Sequence, residues 1–170
     1  MVDLELTRTA DDRRLYALVG VGSLRLQGFG SRTAVAEAGE PASANLAQTW
    51  RLARRGFWGR RVEATDAAGS VVGEFEPRAL RRGGALRWHA QHLELRPASS
   101  WRERYALADG ERELAVLEGK GWGRRPVKVT VDDAGRIDHG LLLFAVFVVR
   151  GLAEDASGAA GAGAATAATG

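Results

Sequence analysis

Two segments of the chain share a run in which a tryptophan and a glycine precede two arginines. The first is Trp58-Gly59-Arg60-Arg61, and the second is Trp122-Gly123-Arg124-Arg125. An aromatic ring beside two guanidinium groups suits contact with a phosphate or another anionic headgroup, because each guanidinium presents a planar fork of donors. Further arginines lie close to the first run. The candidate ligand-binding residues are therefore Arg54, Arg55, Trp58, Arg60, Arg61, Trp122, Arg124 and Arg125.

The same residues have a second interpretation. In it, the two tryptophans close the ends of a barrel and the arginines form a solvated face. Acidic residues in the same span would then offset part of the positive charge, and these are Glu63, Asp66, Glu74 and Glu76. The pattern alone leaves both interpretations open.

No other combination of residues predicts catalysis or metal binding. The chain has no cysteine, which excludes disulfides, thiol catalysis, cysteine-ligated zinc and iron–sulfur clusters. His89 and His92 are three positions apart, so on a strand they face opposite sides and do not suit one metal ion. No nucleophile-elbow or P-loop pattern occurs. We therefore expect no enzymatic activity, no cofactor and no metal site.

The elements that must position these residues are mostly short strands. Apolar and polar residues alternate with a period of two between clusters of Gly, Asp and Ser, which is the signal of a half-buried strand. The turns at residues 66–69 and at Asp109-Gly110 join two pairs of strands into hairpins. The clearest candidate strands are residues 61–65, 71–75, 104–108 and 113–117.

One segment near the C-terminus breaks this rhythm. Residues 141–149 are all apolar, and Asp138 can cap a helix that starts just before them. A buried central helix, a buried strand and a membrane-inserted segment all fit this run, although it is shorter than the ~20 residues that cross a bilayer. We expect a core helix at about 139–155, within a single domain of residues 1–155. Residues 156–170 are rich in Ala and Gly, and we expect them to form a flexible tail.

Together these elements predict a mainly β fold. We expect a closed antiparallel β-barrel of about 10–12 strands around a buried hydrophobic C-terminal helix, because side chains alone do not fill a barrel of that width. An Asp and a Gly follow each Trp-Gly-Arg-Arg run at a similar distance, at residues 66–69 and 132–135. This repeat suggests two related halves of one barrel.

Composition agrees with one soluble domain. The chain has 170 residues, is 45% hydrophobic and 26% charged, and carries a formal net charge of +3. Its basic residues are almost all arginine, the only lysines being Lys120 and Lys128. No apolar leader follows Met1, so a cytoplasmic location, at most peripheral to a membrane, is expected.

The hairpins and the helix resemble a known group of proteins. Residues 62–73, with their Asp-x-x-Gly turn, and residues 105–110 are similar to hairpins of the tubby C-terminal-like superfamily, and residues 138–153 are similar to its core helix. That superfamily includes tubby proteins, phospholipid scramblases and LURP-one-related proteins, and the chain most resembles small bacterial members of the last type. The resemblance covers residues 47–155. It implies a closed barrel of about twelve strands around a hydrophobic helix.

The resemblance also implies a function. Tubby domains hold phosphoinositide headgroups with basic side chains, whereas the palmitoylated cysteines that are a feature of scramblases are absent here. We expect a non-enzymatic binding module that recognises anionic or phosphorylated lipid headgroups through the arginine and tryptophan surface. The alternative is a protein-interaction or scaffolding domain without lipid binding. The expected partners are an anionic membrane surface, a phosphorylated ligand or a protein, while the small net charge disfavours nucleic acid.

Overall fold

A computed structural model shows twelve strands that close into a barrel around one helix. It describes residues 1–28, 32–39, 48–56, 60–78, 83–99, 103–119, 127–132 and 137–165, with side chains to residue 156. The strands are β1 (Val2–Arg8), β2 (Leu15–Leu18), β3 (Gly22–Gln27), β4 (Thr33–Ala38), β5 (Gln48–Arg55), β6 (Arg61–Thr65), β7 (Val71–Pro77), β8 (Gly84–Trp88), β9 (Gln91–Pro97), β10 (Arg104–Asp109), β11 (Arg112–Glu118) and β12 (Val127–Val131). The helix is α1 (His139–Ala165).

Each strand pairs antiparallel with its neighbours in the chain, and β1 pairs with β12 to close the ring. The mainly β class, the closed antiparallel barrel and the C-terminal helix are thus confirmed. The hairpin between β6 and β7 shows how local sequence sets the turns. The Asp66 carboxylate accepts a hydrogen bond from the Ser70 amide at 2.9 Å, and Gly69 adopts a φ of 83° that glycine takes without strain.

The apolar run lies on the barrel axis as a helix, which decides among the three alternatives. Each residue from Leu141 to Val149 is at most 2% exposed. Inward-facing side chains of the strands, such as Leu52, Phe75 and Leu107, complete the same core. A helix without a polar face is stable only where it is buried on every side, and the barrel interior provides that environment. Within the described ranges, no helix combines the length and apolar character that a bilayer crossing requires.

A tryptophan pair positions the first turn of the helix. The Asp138 carboxylate caps this turn by accepting a hydrogen bond from the Leu141 amide at 2.8 Å, and it accepts a second from the Trp88 indole at 3.1 Å. The Trp50 and Trp88 rings meet edge to face, with their centroids 5.5 Å apart. A Cβ on Gly140 would lie 2.5 Å from the Trp50 ring, so only glycine lets the helix approach this closely.

The helix is longer than the sequence predicts. We expected it to end near residue 155 and to be followed by a flexible tail at 156–170, but it continues to Ala165. Alanine has the highest helix propensity, and adding residues to a formed helix avoids the cost of nucleation. An Ala-rich segment that follows a fixed helix therefore extends it. The remaining residues, 166–170, lie outside the described part of the chain.

The strands that follow the two Trp-Gly-Arg-Arg runs are β6 and β12, which are six positions apart in the twelve-stranded ring. They therefore lie on opposite sides of the barrel. This placement is compatible with two related halves, and that relation stays a prediction.

The central position of the helix predicts a large effect of one core substitution. Phe144 is fully buried and stacks on Trp88, with their ring centroids 5.6 Å apart. We expect Phe144→Ala to lower the free energy of unfolding by about 3–5 kcal/mol, because it leaves a cavity on the barrel axis. Val19→Ala, at a 74% exposed position, is the control and should change that free energy by less than about 0.5 kcal/mol. Urea unfolding measures both, and equal effects of the two substitutions would contradict the central helix.

Candidate functional site

The two ends of the barrel differ in charge. The helix enters beside Trp50 and Trp88 and passes Arg54 at the opposite end, so we name these the entry end and the exit end. A cleft of about 370 Å³ opens at the entry end, and Arg112 is the one cation among its described lining residues. Acidic residues predominate at this end, namely Asp66, Asp109, Glu111, Asp132 and Asp138.

Arginines occupy the exit end on the half of the ring formed by β1 to β6. Side chains alternate between the two faces of a strand, so every second residue shares the inward-facing register. Arg54 follows the inward residues Trp50 and Leu52 on β5, and its amide donates a hydrogen bond to the Arg32 carbonyl at 2.8 Å on the neighbouring chain segment. The same register applies at four further strand ends. We call the set the arginine half-ring, and its members are Arg8, Arg14, Arg32, Arg54 and Arg60.

On the rest of the ring, the described residues at the corresponding positions include no arginine. Where the structure describes these strand ends, they are occupied by Pro77, Ser99, Glu103 and Gly119. Among the described residues, the arginines of this register therefore lie on one side of the exit end. Arg82 and Arg125, which precede β8 and β12 by two positions, lie outside the described residues.

Arg54 is the least exposed member of the half-ring. Its side chain is 9% exposed, and its guanidinium lies 2.6 Å from the Asp155 carboxylate and 4.0 Å from that of Glu154. A Cβ on Gly151 would lie 3.2 Å from the guanidinium carbon, so this glycine gives the arginine room against the helix. The guanidinium thus fixes the helix to the inner wall of β5 at the exit end.

A second contact joins the helix to this side of the barrel. Arg150 bonds to Glu154 at 3.1 Å, and its guanidinium carbon lies 4.5 Å from the centre of the Tyr16 ring. A cation over an aromatic face is attracted by the ring quadrupole. The two helix carboxylates, Glu154 and Asp155, therefore lie on the side of the helix that faces the half-ring.

The other four members of the half-ring are exposed. Arg8, Arg14, Arg32 and Arg60 form no ion pair with any carboxylate that the structure describes. Their guanidinium groups are available to an anion from solution.

The structure divides the arginines that the sequence groups together. Arg55 and Arg61 lie on the outer wall, because consecutive residues of a strand face opposite sides. The guanidinium of Arg55 lies 3.0 Å from Glu63, and that of Arg61 lies 3.2 Å from Glu74. These pairs continue across β7, β8 and β9. We call the set the outer ladder, and it comprises Arg55, Arg61, Glu63, Glu74, Arg78, Arg87, Glu94 and Arg96.

The expected single patch is thus corrected. Of its described members, Arg54 and Arg60 belong to the half-ring, whereas Arg55 and Arg61 belong to the outer ladder, where carboxylates neutralise them. Four further candidates lie outside the described residues, and these are Trp58, Trp122, Arg124 and Arg125.

Sequence reasoning missed three members of the half-ring. Arg8, Arg14 and Arg32 each lie two positions from a strand residue that faces the interior, namely Leu6, Tyr16 and Ala34. Extending the alternation of inward and outward side chains beyond each strand end would have identified these three arginines.

Two carboxylates of the outer ladder titrate below their ordinary range. A hydrogen bond from Arg87, with a further one from Arg61, holds the pKa of Glu74 below its ordinary value of 4.5. A hydrogen bond from Arg96 and the nearby charge of Arg78 lower the pKa of Glu94 in the same way. The arginines favour the charged form of each carboxylate, so both act as fixed anions at neutral pH.

The described residues contain no group of three His, Asp or Glu side chains that could hold a metal ion. No family model, no curated protein and no solved structure matches the chain.

Two neighbouring arginines should respond differently to the same substitution. We expect Arg54→Ala to lower the free energy of unfolding by about 2 kcal/mol, because it removes a charge-assisted hydrogen bond and the packing of the side chain against the helix. Arg55→Ala should cost about 0.5 kcal/mol, because an exposed ion pair contributes little. Urea titrations compare the two variants, and an equal loss would place both arginines on the same face.

The ion pairs of the outer ladder predict that the stability of the fold depends on pH in the acidic range. The pKa values of Glu74 and Glu94 are lower in the folded protein than in the unfolded chain, so their contribution is complete above about pH 5 and is lost as the pH falls below it. The variant Glu74→Gln/Glu94→Gln should show a flatter loss of stability between about pH 5 and 3 than the parent protein. Glu76→Gln, on the same outer wall, is the control and should follow the parent curve.

Proposed function

We propose that the barrel is a non-catalytic binding module whose arginine half-ring holds the phosphate groups of anionic lipid headgroups. The observation that carries this proposal is the exposure of Arg8, Arg14, Arg32 and Arg60 at one end of the barrel with no ion-paired carboxylate among the described residues. Guanidinium groups bind phosphate through two parallel hydrogen bonds, and they stay charged at every working pH.

The spacing of the half-ring suits a ligand with more than one anionic group. Neighbouring strands lie about 4.8 Å apart and a strand rises about 3.3 Å per residue, so Arg32 and Arg60, two strands and two residues apart, extend from backbone about 12 Å apart. A polyphosphorylated headgroup, or several headgroups in a membrane surface, can engage both side chains at once. The entry end is acidic and the outer ladder is internally paired, so neither offers an equivalent site.

The sequence adds further residues to this proposal. Trp58, Trp122, Arg124 and Arg125 belong to it by residue type alone, and tryptophan is enriched where protein meets the membrane–water boundary. The resemblance to the tubby C-terminal-like superfamily favours the same ligand class, and membership in that superfamily stays a prediction. A cytoplasmic location peripheral to a membrane would bring the half-ring to its ligand, and it also stays a prediction.

A charge reversal tests the proposal directly. We expect the protein to co-sediment with phosphatidylcholine vesicles that contain phosphatidylserine or a phosphoinositide, and not with neutral phosphatidylcholine vesicles. Arg32→Glu/Arg60→Glu should weaken this binding at least about tenfold, because each charge-assisted contact contributes about 1.5–3 kcal/mol. Raising the salt toward about 0.15 M should weaken the binding of the parent protein through screening.

The control has the same change in net charge at exposed arginines outside the half-ring. Arg51 lies on the outer face of β5 and Arg112 lies at the entry end. Arg51→Glu/Arg112→Glu should bind nearly as well as the parent, and equal losses in both double variants would contradict a defined site. A soluble inositol phosphate that competes with the vesicles would show that the headgroup alone is recognised. Salt-insensitive capture of one protein partner, without vesicle binding, would instead support the scaffolding alternative.

A further inference from the structure

We propose that Glu154 and Asp155 occupy the exit end as an internal substitute for the ligand, so that the helix holds the half-ring in an autoinhibited state. A phosphate group from the ligand then competes with these carboxylates for Arg54. This inference rests on the proposed function, since it concerns the regulation of the same site.

The two carboxylates contact Arg54 and are more exposed to solvent than it is. The Asp155 side chain is 30% exposed and that of Glu154 is 39% exposed, whereas the Arg54 side chain is 9% exposed. Displacing the two carboxylates would expose a guanidinium level with Arg32 and two residues along the wall from the level of Arg60. The site would then gain its central cation and lose two negative charges that repel an incoming phosphate.

The contacts of the helix with the barrel decrease just before the two carboxylates. Residues 141–149 are fixed in the barrel core, and Leu152 and Ala153 still pack against it. Glu154 is exposed, and Asp155 and Ala156 are half-buried, so the carboxylates can leave Arg54 without unpacking the core. Residues 156–170 contain no charged residue and no large apolar residue.

A purely structural ion pair makes a different prediction. In that case, removing the Asp155 carboxylate would lower stability and leave the affinity for anions unchanged. An autoinhibitory pair predicts that affinity increases when the carboxylate is removed, whatever happens to stability. A measurement of binding affinity therefore distinguishes the two explanations.

The test measures binding to phosphatidylcholine vesicles that contain a phosphoinositide, at the salt concentration where half of the parent protein is bound. Asp155→Asn should bind more tightly by on the order of tenfold, the range of typical coupling between two sites. Glu154→Gln, at the more exposed position, should bind more tightly by a smaller factor. It replaces Asp155→Asn in the test if circular dichroism shows that Asp155→Asn does not fold. Glu111→Gln at the entry end gains the same net charge and should bind like the parent.

A double variant assigns the effect to Arg54. In Arg54→Met/Asp155→Asn, the gain seen with Asp155→Asn should disappear, because the guanidinium that it uncovers is gone. An Asp155→Asn variant that binds no better than Glu111→Gln, or a gain that persists without Arg54, would overturn the proposal.

Hydrogen exchange on the parent protein gives a second readout. Vesicle binding should speed exchange of the amides at residues 154–156 and leave those at 141–153 protected, because only the end of the helix is released. Unchanged or slower exchange at 154–156 in the bound protein would overturn the release. If the parent binds vesicles and Arg32→Glu/Arg60→Glu does not, while Asp155→Asn behaves like Glu111→Gln, then autoinhibition fails and the proposed function stands.

Discussion

An apolar helix that has no polar face must be removed from water on every side, and the rest of this structure follows from that requirement. Residues 141–149 meet it only inside the barrel, and the barrel in turn needs the helix, because twelve inward-facing rows of side chains do not fill an interior of that width. The hydrophobic surfaces of the two elements are therefore buried together. The tryptophan pair, Gly140 and the Asp138 cap fix the position of the helix at one end, and the pair between Arg54 and Asp155 fixes it at the other.

The same alternation that separates core from surface along each strand also separates two kinds of arginine. On the outer wall, arginines meet glutamates on neighbouring strands and form the neutralised outer ladder. At the exit end, inward-register positions extend past the last apolar layer, where an arginine can reach the helix or the solvent. Arg54 contacts the helix, while Arg8, Arg14, Arg32 and Arg60 are exposed to solvent. A surface suited to anions therefore forms where the strands extend beyond the apolar core.

Patterns within short windows of sequence predicted most of the fold. Period-two alternation and Asp…Gly turns located the hairpins, and the unbroken apolar run located the core helix. The site was predicted less well, because its geometry depends on pairing between distant parts of the chain. Arg54 and Asp155 are 101 positions apart, and their contact depends on the closure of the whole barrel. The prediction of one patch grouped Arg54 with Arg55 and Arg60 with Arg61. It ignored the alternation by which consecutive residues of a strand face opposite sides of the sheet. The extension of the helix to Ala165 reflects propagation from a buried segment, which composition alone does not reveal.

In the function that we propose, anions bind the arginine half-ring and not the outer ladder. Nuclear magnetic resonance of arginine Nε–Hε groups tests it most directly, because each guanidinium reports separately during a titration with nanodiscs that contain a phosphoinositide. We expect the signals of Arg8, Arg14, Arg32 and Arg60 to shift in a saturable way, while those of Arg55, Arg61 and Arg87 stay in place. Shifts confined to the outer ladder, or an absence of shifts at all of these arginines, would contradict it.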